Sequence, residues 1–532
     1  MRGEASGQVV GKPRPAARRR ARSLLGALLV APVAPAAPVA PLAPATPGGL
    51  DAEPLAEHAR DVVDYTLRAS LDPVLHTVHG EGTIVWRNTS EQPVRELWVH
   101  LYLNAFKNER SAFLRERIGG RGSRDPEDWG WIDVRELALR DADGPPVDLR
   151  SAMETASPDD GDETDARVRL PRAVAPGEAI TLDVVFDDKL PSVVERTGYR
   201  GGFHMVGQWF PKVARLEPDG TWAHFAFHHL SEFYADFGTY DVTIDVPEGF
   251  VVGATGPAIE SRVFDRRRVE RHVQRDVHDF AWAAWDEFRT ERRTIDGVDV
   301  EVLYPPGCAA MARRELDALR FALPYFSSRY GRYPYGLLTV VHPPEDAAEA
   351  GGMEYPTLIT TGSPWWTPPG VLAPEIVTVH ELGHQWFYGL VATDERAWPM
   401  LDEGVNQFAE IDAMEKWRGP GSLVDLAGLR VSDAAVQAVA GNLAAHDEPV
   451  AQPADRFSSG AAYGRLVYAR TASVLATLAR VYGDEAVGRA LGRYARRFRF
   501  EHPGPEQLAS AFERELGAGA AQALRRALFE KG

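Results

Sequence analysis

The stretch PEIVTVHELGHQWFYG, Pro374 to Gly389, carries the pattern from which the rest of the chain can be interpreted. It begins with a proline, which the first turn of a helix tolerates, and it ends in a glycine, so it predicts one helix. On a helix, His380 and His384 are four residues apart and lie on one face, so both imidazoles can reach a single ion. Zinc favours nitrogen ligands of this kind. The stretch therefore predicts a zinc site.

The third metal ligand is expected from MLDEGVNQ, Met400 to Gln407. Glu403 follows His384 by nineteen residues, and a second helix packed beside the first would bring its carboxylate to the ion. Asp402 is the competing candidate, and its alternative role is to stabilise a helix N-terminus from the surface. A catalytic zinc site has three protein ligands and one open position for water, so we expect one zinc ion here.

Two further glutamates have expected roles at this site. Glu381 lies between the two histidines and is predicted to be the general base, which takes a proton from the water and passes it to the leaving amine. Glu410 lies about two turns beyond Glu403 on the predicted second helix, where its carboxylate could orient a ligand histidine. The alternative for Glu410 is an exposed glutamate with no role in the site.

The HELGH pattern followed by this glutamate resembles the gluzincin metallopeptidases of the membrane alanyl aminopeptidase family. Three other segments extend the resemblance. GGMEY, Gly351 to Tyr355, is similar to the family's Gly-x-Met-Glu-Asn; YARTA, Tyr468 to Ala472, is similar to its Tyr-x-Lys-Gly-Ala; and HDFAW, His278 to Trp282, is similar to part of its N-terminal saddle. Tyr355 replaces the family's asparagine, and Arg470-Thr471 replace its Lys-Gly. Both differences argue against strict exopeptidase geometry.

The resemblance implies a role for each site segment. Tyr468 would stabilise the oxyanion of the transition state, with Tyr463 as the competing candidate. Glu354 would bind the free amine of a peptide, and Gly352 and Met353 would contribute to substrate binding. The family's additional amine-binding glutamine or acid is not evident in the sequence. Longer members have a large C-terminal helical domain over the active site, and we expect that it is missing here or supplied from elsewhere. The implied enzyme is a short zinc aminopeptidase whose active site is not covered by such a domain.

Outside the motifs, the pattern of the chain changes near residue 290. Alternating apolar residues predict strands at 65–71, 96–103 and 240–246. Beyond residue 290, the expected elements are strands at 298–304 and 337–342, a helix from Ala309 to Arg329, and mainly helices after Pro374.

The fold class expected from these patterns is an N-terminal antiparallel β saddle or sandwich followed by an α+β domain, which the resemblance identifies as thermolysin-like. The predicted boundaries are residues 1–50 for a signal peptide and Pro-rich linker, 51–288 for the β domain and 289–532 for the catalytic domain.

Composition restricts the function classes. The chain has 532 residues, 44% of them hydrophobic and 25% charged, which is typical of globular domains. Asp and Glu outnumber Lys and Arg by 76 to 59, and the formal charge of −17 argues against a nucleic-acid-binding protein. The single cysteine, Cys308, excludes an intrachain disulfide and a cysteine-based metal cluster.

The N-terminus has the layout of an export signal. A basic cluster begins at Arg18 and precedes a short apolar run that ends at Ala31, and Ala34-Pro35-Ala36 resembles a cleavage site. Prolines every third residue from Pro32 to Pro47 favour a polyproline II rod, so the apolar run is too short to span a bilayer. We expect a periplasmic or extracellular protein, or one associated with the membrane through an uncleaved signal. The alternative is an uncleaved disordered tail.

Three functions remain open at this point. The first is a zinc-dependent aminopeptidase that hydrolyses N-terminal residues from peptides. The second is a metallopeptidase with an open cleft and no strict N-terminal requirement. The third is an inactive zinc-fold accessory or binding subunit. It is disfavoured because the candidate ligands, base and oxyanion-stabilising residue are all present, namely His380, Glu381, His384, Glu403 and Tyr468. The expected partner is a peptide, with no nucleic acid and no integral membrane span, and the sequence leaves the oligomeric state open.

Overall fold

In the computed structural model, the described residues are 55–118, 128–141, 144–157, 161–362, 364, 366–444 and 447–531. All of them belong to one compact unit, Gly48–Gly532. The predicted signal peptide and the whole Pro-rich linker fall outside the described residues. The predicted boundary between residues 288 and 289 lies inside the compact unit and stays a prediction.

The first half of the described chain is built from β-strands, with one short helix, α1 (Ala112–Ile118). The strands are β1 (Val63–Asp72), β2 (Thr77–Arg87), β3 (Val94–His100), β4 (Trp131–Leu139), β5 (Val147–Asp148), β6 (Met153–Ser157), β7 (Asp162–Val174), β8 (Ala179–Lys189), β9 (Gly198–Arg200), β10 (Phe203–Val206), β11 (Lys212–Val213), β12 (Arg215–Leu216), β13 (Trp222–Ala223), β14 (Gly238–Pro247), β15 (Val251–Ala254), β16 (Ala258–Phe264), β17 (Arg267–Val277) and β18 (Trp282–Trp285).

These strands form an eight-stranded sheet in the order β16-β17-β14-β1-β2-β8-β4-β5, two four-stranded sheets, β15-β18-β10-β9 and β11-β3-β7-β6, and the hairpin β12-β13. In β1, alternate residues from Val63 to Leu71 are buried, which is the period expected of a strand with one face on the core. The predicted β-rich half is confirmed, with two differences. The strand predicted at 96–103 ends at His100, and a short 3₁₀ segment, Tyr102–Phe106, follows. β1 pairs with β14 in parallel, and the long connection between them provides the crossover that parallel pairing requires.

The second half mixes strands and helices. The strands are β19 (Arg289–Ile295), β20 (Val298–Tyr304), β21 (Leu337–Val341), β22 (Leu358–Thr360), β23 (Val424–Leu426) and β24 (Leu429–Val431). The α-helices are α2 (Ala309–Tyr330), α3 (Ala373–Gly383), α4 (Val405–Arg418), α5 (Asp433–Asn442), α6 (Gly460–Tyr463), α7 (Thr471–Tyr482), α8 (Asp484–Arg497), α9 (Pro505–Leu516) and α10 (Ala518–Phe529). It also contains two π-helical segments, π1 (Met400–Gly404) and π2 (Gly464–Arg470), and short 3₁₀ segments at Glu345–Ala350, Gly419–Gly421 and Ala454–Arg456.

The sheet β19-β20-β21-β22 is parallel from β20 to β22, and α2 and α3 pack against each other beside it. The α+β half predicted from the sequence is confirmed, but α3 is shorter than expected, because it ends at Gly383 and a turn follows. The core continues from one half into the other. The ring of Tyr388, just beyond α3, meets the ring of His278 from the β-rich half at 4.5 Å.

Candidate zinc and peptide site

Three predicted ligand side chains meet at the end of α3. Nε2 of His380 and Nε2 of His384 are 3.2 Å apart, and each lies 3.2 Å from Oε2 of Glu403. Ligand bonds of about 2.1 Å at tetrahedral angles would place neighbouring ligand atoms about 3.4 Å apart. The donor set and its spacing therefore fit one zinc ion. We call these three residues the metal corner.

The metal corner is held together by close helix packing. Asn406, at the start of α4, donates a hydrogen bond from Nδ2 to the carbonyl of His380 at 2.8 Å. Gly383 makes room for this contact, since a Cβ at this position would lie 2.1 Å from Oδ1 of Asn406. A bulkier residue at 383 would push α3 away from α4.

Glu403 and Tyr468 both lie on π-helical segments, π1 and π2. Such segments are rare and concentrate at functional sites. The two approach closely at Gly404, where a Cβ would lie 2.4 Å from the carbonyl oxygen of Val467. The hydroxyl of Tyr468 donates a hydrogen bond to Oε1 of Glu403, the oxygen that does not face the histidines. Tyr463, the competing candidate, is buried and packs edge-on against Tyr468 at 6.0 Å.

Two groups lie against Nδ1 of His384, the ring nitrogen on the far side from the metal corner. Oδ1 of Asp402 is 2.6 Å from it, and the carbonyl oxygen of Phe387 is within hydrogen-bond distance at 3.0 Å. Burial raises the pKa of Asp402 to about 8, against the opposing effect of His384. The orienting contact predicted for Glu410 is therefore found at Asp402. Glu410 is fully buried, neither exposed nor beside a histidine, and accepts a hydrogen bond from Gln407.

Glu381 is 6% exposed and faces the segment Gly351–Tyr355. A Cβ on Gly352 would lie 3.9 Å from Oε1 of Glu381, and Gly352 has a φ of +72°, which favours glycine. Burial, and then the charge of Glu354, raise the pKa of Glu381 well above its usual value. A general base accepts and returns a proton near neutral pH, and a carboxyl with a raised pKa is suited to this role.

Glu354 lies beside the metal corner. One of its oxygens is within 4.8 Å of a ligand atom of His384, of Asp402 and of Glu403. Its Oε1 is buried and has no hydrogen-bond partner among the described residues. Burial raises the pKa of Glu354. Met353 is fully buried and pairs with Thr360, which fixes the segment through backbone hydrogen bonds of 2.7 and 3.3 Å.

Two residues near Glu354 were not predicted from the sequence. Glu232 is buried, and its Oε2 has no partner among the described residues; burial raises its pKa to about 8, against the effect of Arg196 and with a further rise from Glu354. Nη1 of Arg196 binds the other oxygen of Glu232 at 2.5 Å. Both residues come from the β-rich half, far from the motifs, and no local pattern marks them. We call Glu354, Glu232 and Arg196 the amine pocket.

A buried polar network surrounds the segment Gln208–Pro211 of the β-rich half. Gln208 accepts a hydrogen bond from Nζ of Lys212 at 2.8 Å and donates one to Oδ2 of Asp279 at 2.6 Å. Lys212 and Asp279 form a fully buried ion pair at 2.7 Å. The network is internally satisfied, so this segment serves packing between strands.

Comparison with known proteins agrees with this architecture. Residues 314–526 match the family model described as Peptidase family M1 domain. Aminopeptidase M1-B from Oryza sativa subsp. japonica is 26% identical over 242 residues, which are 43% of this chain and 26% of that protein. The chain thus spans about a quarter of the length of this curated relative.

Solved structures share the fold over most of the chain. An M1 zinc metallopeptidase from Deinococcus radiodurans is 17% identical with a TM-score of 0.61, covering 90% of this chain and 95% of that one. A mutant of it bound to a Tyr-Ser-Ala substrate is 18% identical (TM-score 0.61; 90% and 96% covered). A two-domain M1 zinc metallopeptidase mutant bound to L-tryptophan is 19% identical (TM-score 0.61; 90% and 96% covered). The solved structures show the same fold over most of this chain, and the match of residues 314–526 to the family model agrees with the resemblance carried by the motifs.

Proposed function

We propose that this chain is a zinc-dependent aminopeptidase that removes N-terminal residues from peptides, and the match of residues 314–526 to the Peptidase family M1 domain supports this proposal. The observation that carries the proposal is the position of Glu354. Its buried carboxylate has one oxygen without a hydrogen-bond partner among the described residues and lies within 4.8 Å of a donor atom of His384 and of Glu403, two members of the metal corner. A peptide whose ammonium binds Glu354 has its first carbonyl group near that corner.

His380, His384 and Glu403 would hold one zinc ion, because their three donor atoms have a spacing that suits it. The ion would supply Lewis acidity, which polarises the peptide carbonyl and lowers the pKa of water. Asp402 keeps the ring of His384 oriented through Nδ1 and so fixes which nitrogen faces the ion.

Glu381 would accept a proton from the attacking water and deliver it to the nitrogen of the leaving amine. Its burial supports this role, because a carboxyl removed from water holds a proton more readily than an exposed one. Gly352 supports it as well, because the absence of a side chain at this position leaves space beside the Glu381 carboxyl for the substrate backbone.

Tyr468 would stabilise the negative charge that develops on the carbonyl oxygen. Its hydroxyl hydrogen is available for donation, because burial and the nearby charge of Glu403 raise its pKa well above the usual value and keep it protonated. Donors of this type contribute about 3 kcal/mol to transition-state stabilisation. In the absence of substrate the same hydrogen is donated to Glu403.

Glu354 and Glu232 would share the substrate's ammonium group. Burial disfavours the ionised form of both carboxyls, and an ammonium ion between them would favour it again. The pocket would therefore bind a substrate with a free amine more tightly than one with an acetylated amine, because the acetylated nitrogen carries no charge.

The test is a pair of zinc-loaded assays with aminoacyl anilides that carry a free or an N-acetylated amine, with metal analysis of the same sample. We expect one zinc per chain and hydrolysis of the free substrates only. Equal hydrolysis of both would support the open-cleft metallopeptidase instead. Inactivity of a fully zinc-loaded protein on every peptide would support the binding subunit.

We also propose that residues 1–50 direct export. Their basic cluster and short apolar run support this, and within the described residues no helix has the length and apolar character to cross a membrane. Intact-mass measurement on protein from the periplasm or medium should show loss of the N-terminal segment. Retention of Met1 in protein confined to the cytosol would contradict the proposal.

A further inference from the structure

Arg196 sits in a strained part of the chain. Glu195 and Arg196 have φ angles of +43° and +61°, in the left-handed region that side chains other than glycine, asparagine and aspartate seldom occupy. Two such residues in succession persist only where surrounding contacts determine their conformation. The backbone N–H of Arg196 donates to the carbonyl of Glu349 at 2.9 Å, which ties this loop to the segment that leads into Gly352.

The side chain of Arg196 joins two parts of the site. Nε donates a hydrogen bond to the carbonyl oxygen of Gly352 at 3.0 Å, and Nη1 donates to Oε1 of Glu232 at 2.5 Å. A guanidinium holds its N–H groups in one rigid plane, so two acceptors bound to it are held at a set distance from each other. Arg196 therefore sets the distance between the Gly352 backbone and the Glu232 carboxyl.

The positions of two carboxylate oxygens in the amine pocket depend on the distance that Arg196 sets. Oε2 of Glu232 and Oε1 of Glu354 are both buried and without a hydrogen-bond partner among the described residues. Glu354 follows Gly352 by two residues in the segment that Arg196 contacts. Like charges on the two carboxyls would repel each other, and the adjacent guanidinium opposes that repulsion.

We propose that Arg196 is a positioning residue for substrate: it holds Gly352 and Glu232 so that the free oxygens of Glu232 and Glu354 bind one ammonium group. This inference rests on the proposed aminopeptidase function. Lysine cannot replace arginine in this role, because an ammonium group does not offer two donors in a fixed plane.

The experiment compares the wild type with Arg196→Lys and Arg196→Ala, as full-length, zinc-loaded protein. Calorimetry measures Kd for L-leucine hydroxamate and for 4-methylpentanohydroxamate, which has the same chain and metal-binding group but no amine. The ratio of the two Kd values reports the amine pocket alone. We expect the wild type to favour the amine-bearing compound, and both variants to lose about 10- to 100-fold of that preference, as for hydrogen bonds to charged groups.

Arg117→Lys is the matched control. Arg117 contacts Glu349 at 2.7 Å and Glu195 at 3.9 Å. Among the described residues it has no contact with Gly352 or Glu232. Its variant should keep the wild-type preference. A purely structural role for Arg196 would weaken binding of both hydroxamates equally and leave their ratio unchanged.

The outcomes separate the two proposals. A wild-type preference for the amine that survives in both Arg196 variants overturns the positioning role and leaves the aminopeptidase function standing. A wild type with no preference overturns both. Where Arg196→Ala does not fold, Arg196→Lys and Glu232→Gln give the answer, because each should lower the preference and thermal melting identifies the folded variants.

Discussion

The metal corner and the amine pocket lie side by side but are built in different ways. The metal corner comes from one stretch of chain, from His380 to Glu403, and its residues are placed by helix periodicity and by one helix packing on the next. The amine pocket draws Arg196, Glu232 and Glu354 from three segments that are far apart in sequence. The difference shows that the proposed metal ligands are encoded locally, whereas the proposed recognition of the peptide end depends on how the two halves pack.

The largest expected effect is at Glu381, beside the metal corner. Glu381→Gln should lower kcat by about 100- to 10,000-fold, because the variant retains the shape of the side chain but cannot accept a proton. The zinc content should stay at the wild-type level, since Glu381 is outside the ligand set. Kinetic assays and metal analysis check both points, with the exposed Glu345→Gln as control. Loss of zinc from the Glu381 variant would contradict its assignment as the base.

The second prediction distinguishes two acids near the metal corner. Asp402→Asn should weaken zinc affinity by about 10- to 100-fold, as expected for a residue that orients a metal-binding histidine. Glu410→Gln should leave zinc affinity unchanged, because the described hydrogen bond of Glu410 goes to Gln407. Competition with a chelator measures both affinities. The reverse order of effects would restore the role expected for Glu410 from the sequence.

The smallest expected effect is a pH dependence of stability. Burial, and then the charge of Asp433, raise the pKa of Glu410 well above 4.5. Above pH 4.5, the folded state therefore keeps a proton that the unfolded state loses, and this contribution to stability falls as pH rises toward the folded-state pKa. Glu410→Gln removes the titration, so the variant should gain stability relative to wild type between pH 5 and pH 8.

Urea unfolding at the two pH values measures this difference. Exposed Glu345→Gln, which changes the same functional group on the surface, should follow the wild type at both pH values. An equal offset for Glu410→Gln at pH 5 and pH 8 would contradict a raised pKa for this carboxyl.

Much of the fold could be predicted from the sequence, because its signals are local. The strand over 298–304 and the helix from Ala309 agree with β20 and α2, and alternation identified β1 and β14. The parallel pairing of β1 with β14 could not be predicted, since it joins segments more than 150 residues apart. The end of α3 at Gly383 was also missed, because the turn after it is stabilised by tertiary contacts.

The candidate site divides in the same way. Spacing alone indicated which side chains of the metal corner could face one ion. It could not distinguish Asp402 from Glu410, because Asp402 lies on π1, where side chains take angular positions different from those of a regular α-helix. Arg196 and Glu232 carried no sequence signal, since their contacts to each other and to Gly352 exist only after the loops meet.

By itself, the sequence determined the order of a β-rich half before an α+β half, and it indicated the proposed metal ligands and the segment that carries Glu354. These depend on side-chain type and short spacings, which helix and strand geometry convert directly into shared faces. Only the tertiary structure decided which acid orients His384, which residues complete the amine pocket, and what holds them there. Those contacts join distant segments, and long-range packing sets their distances.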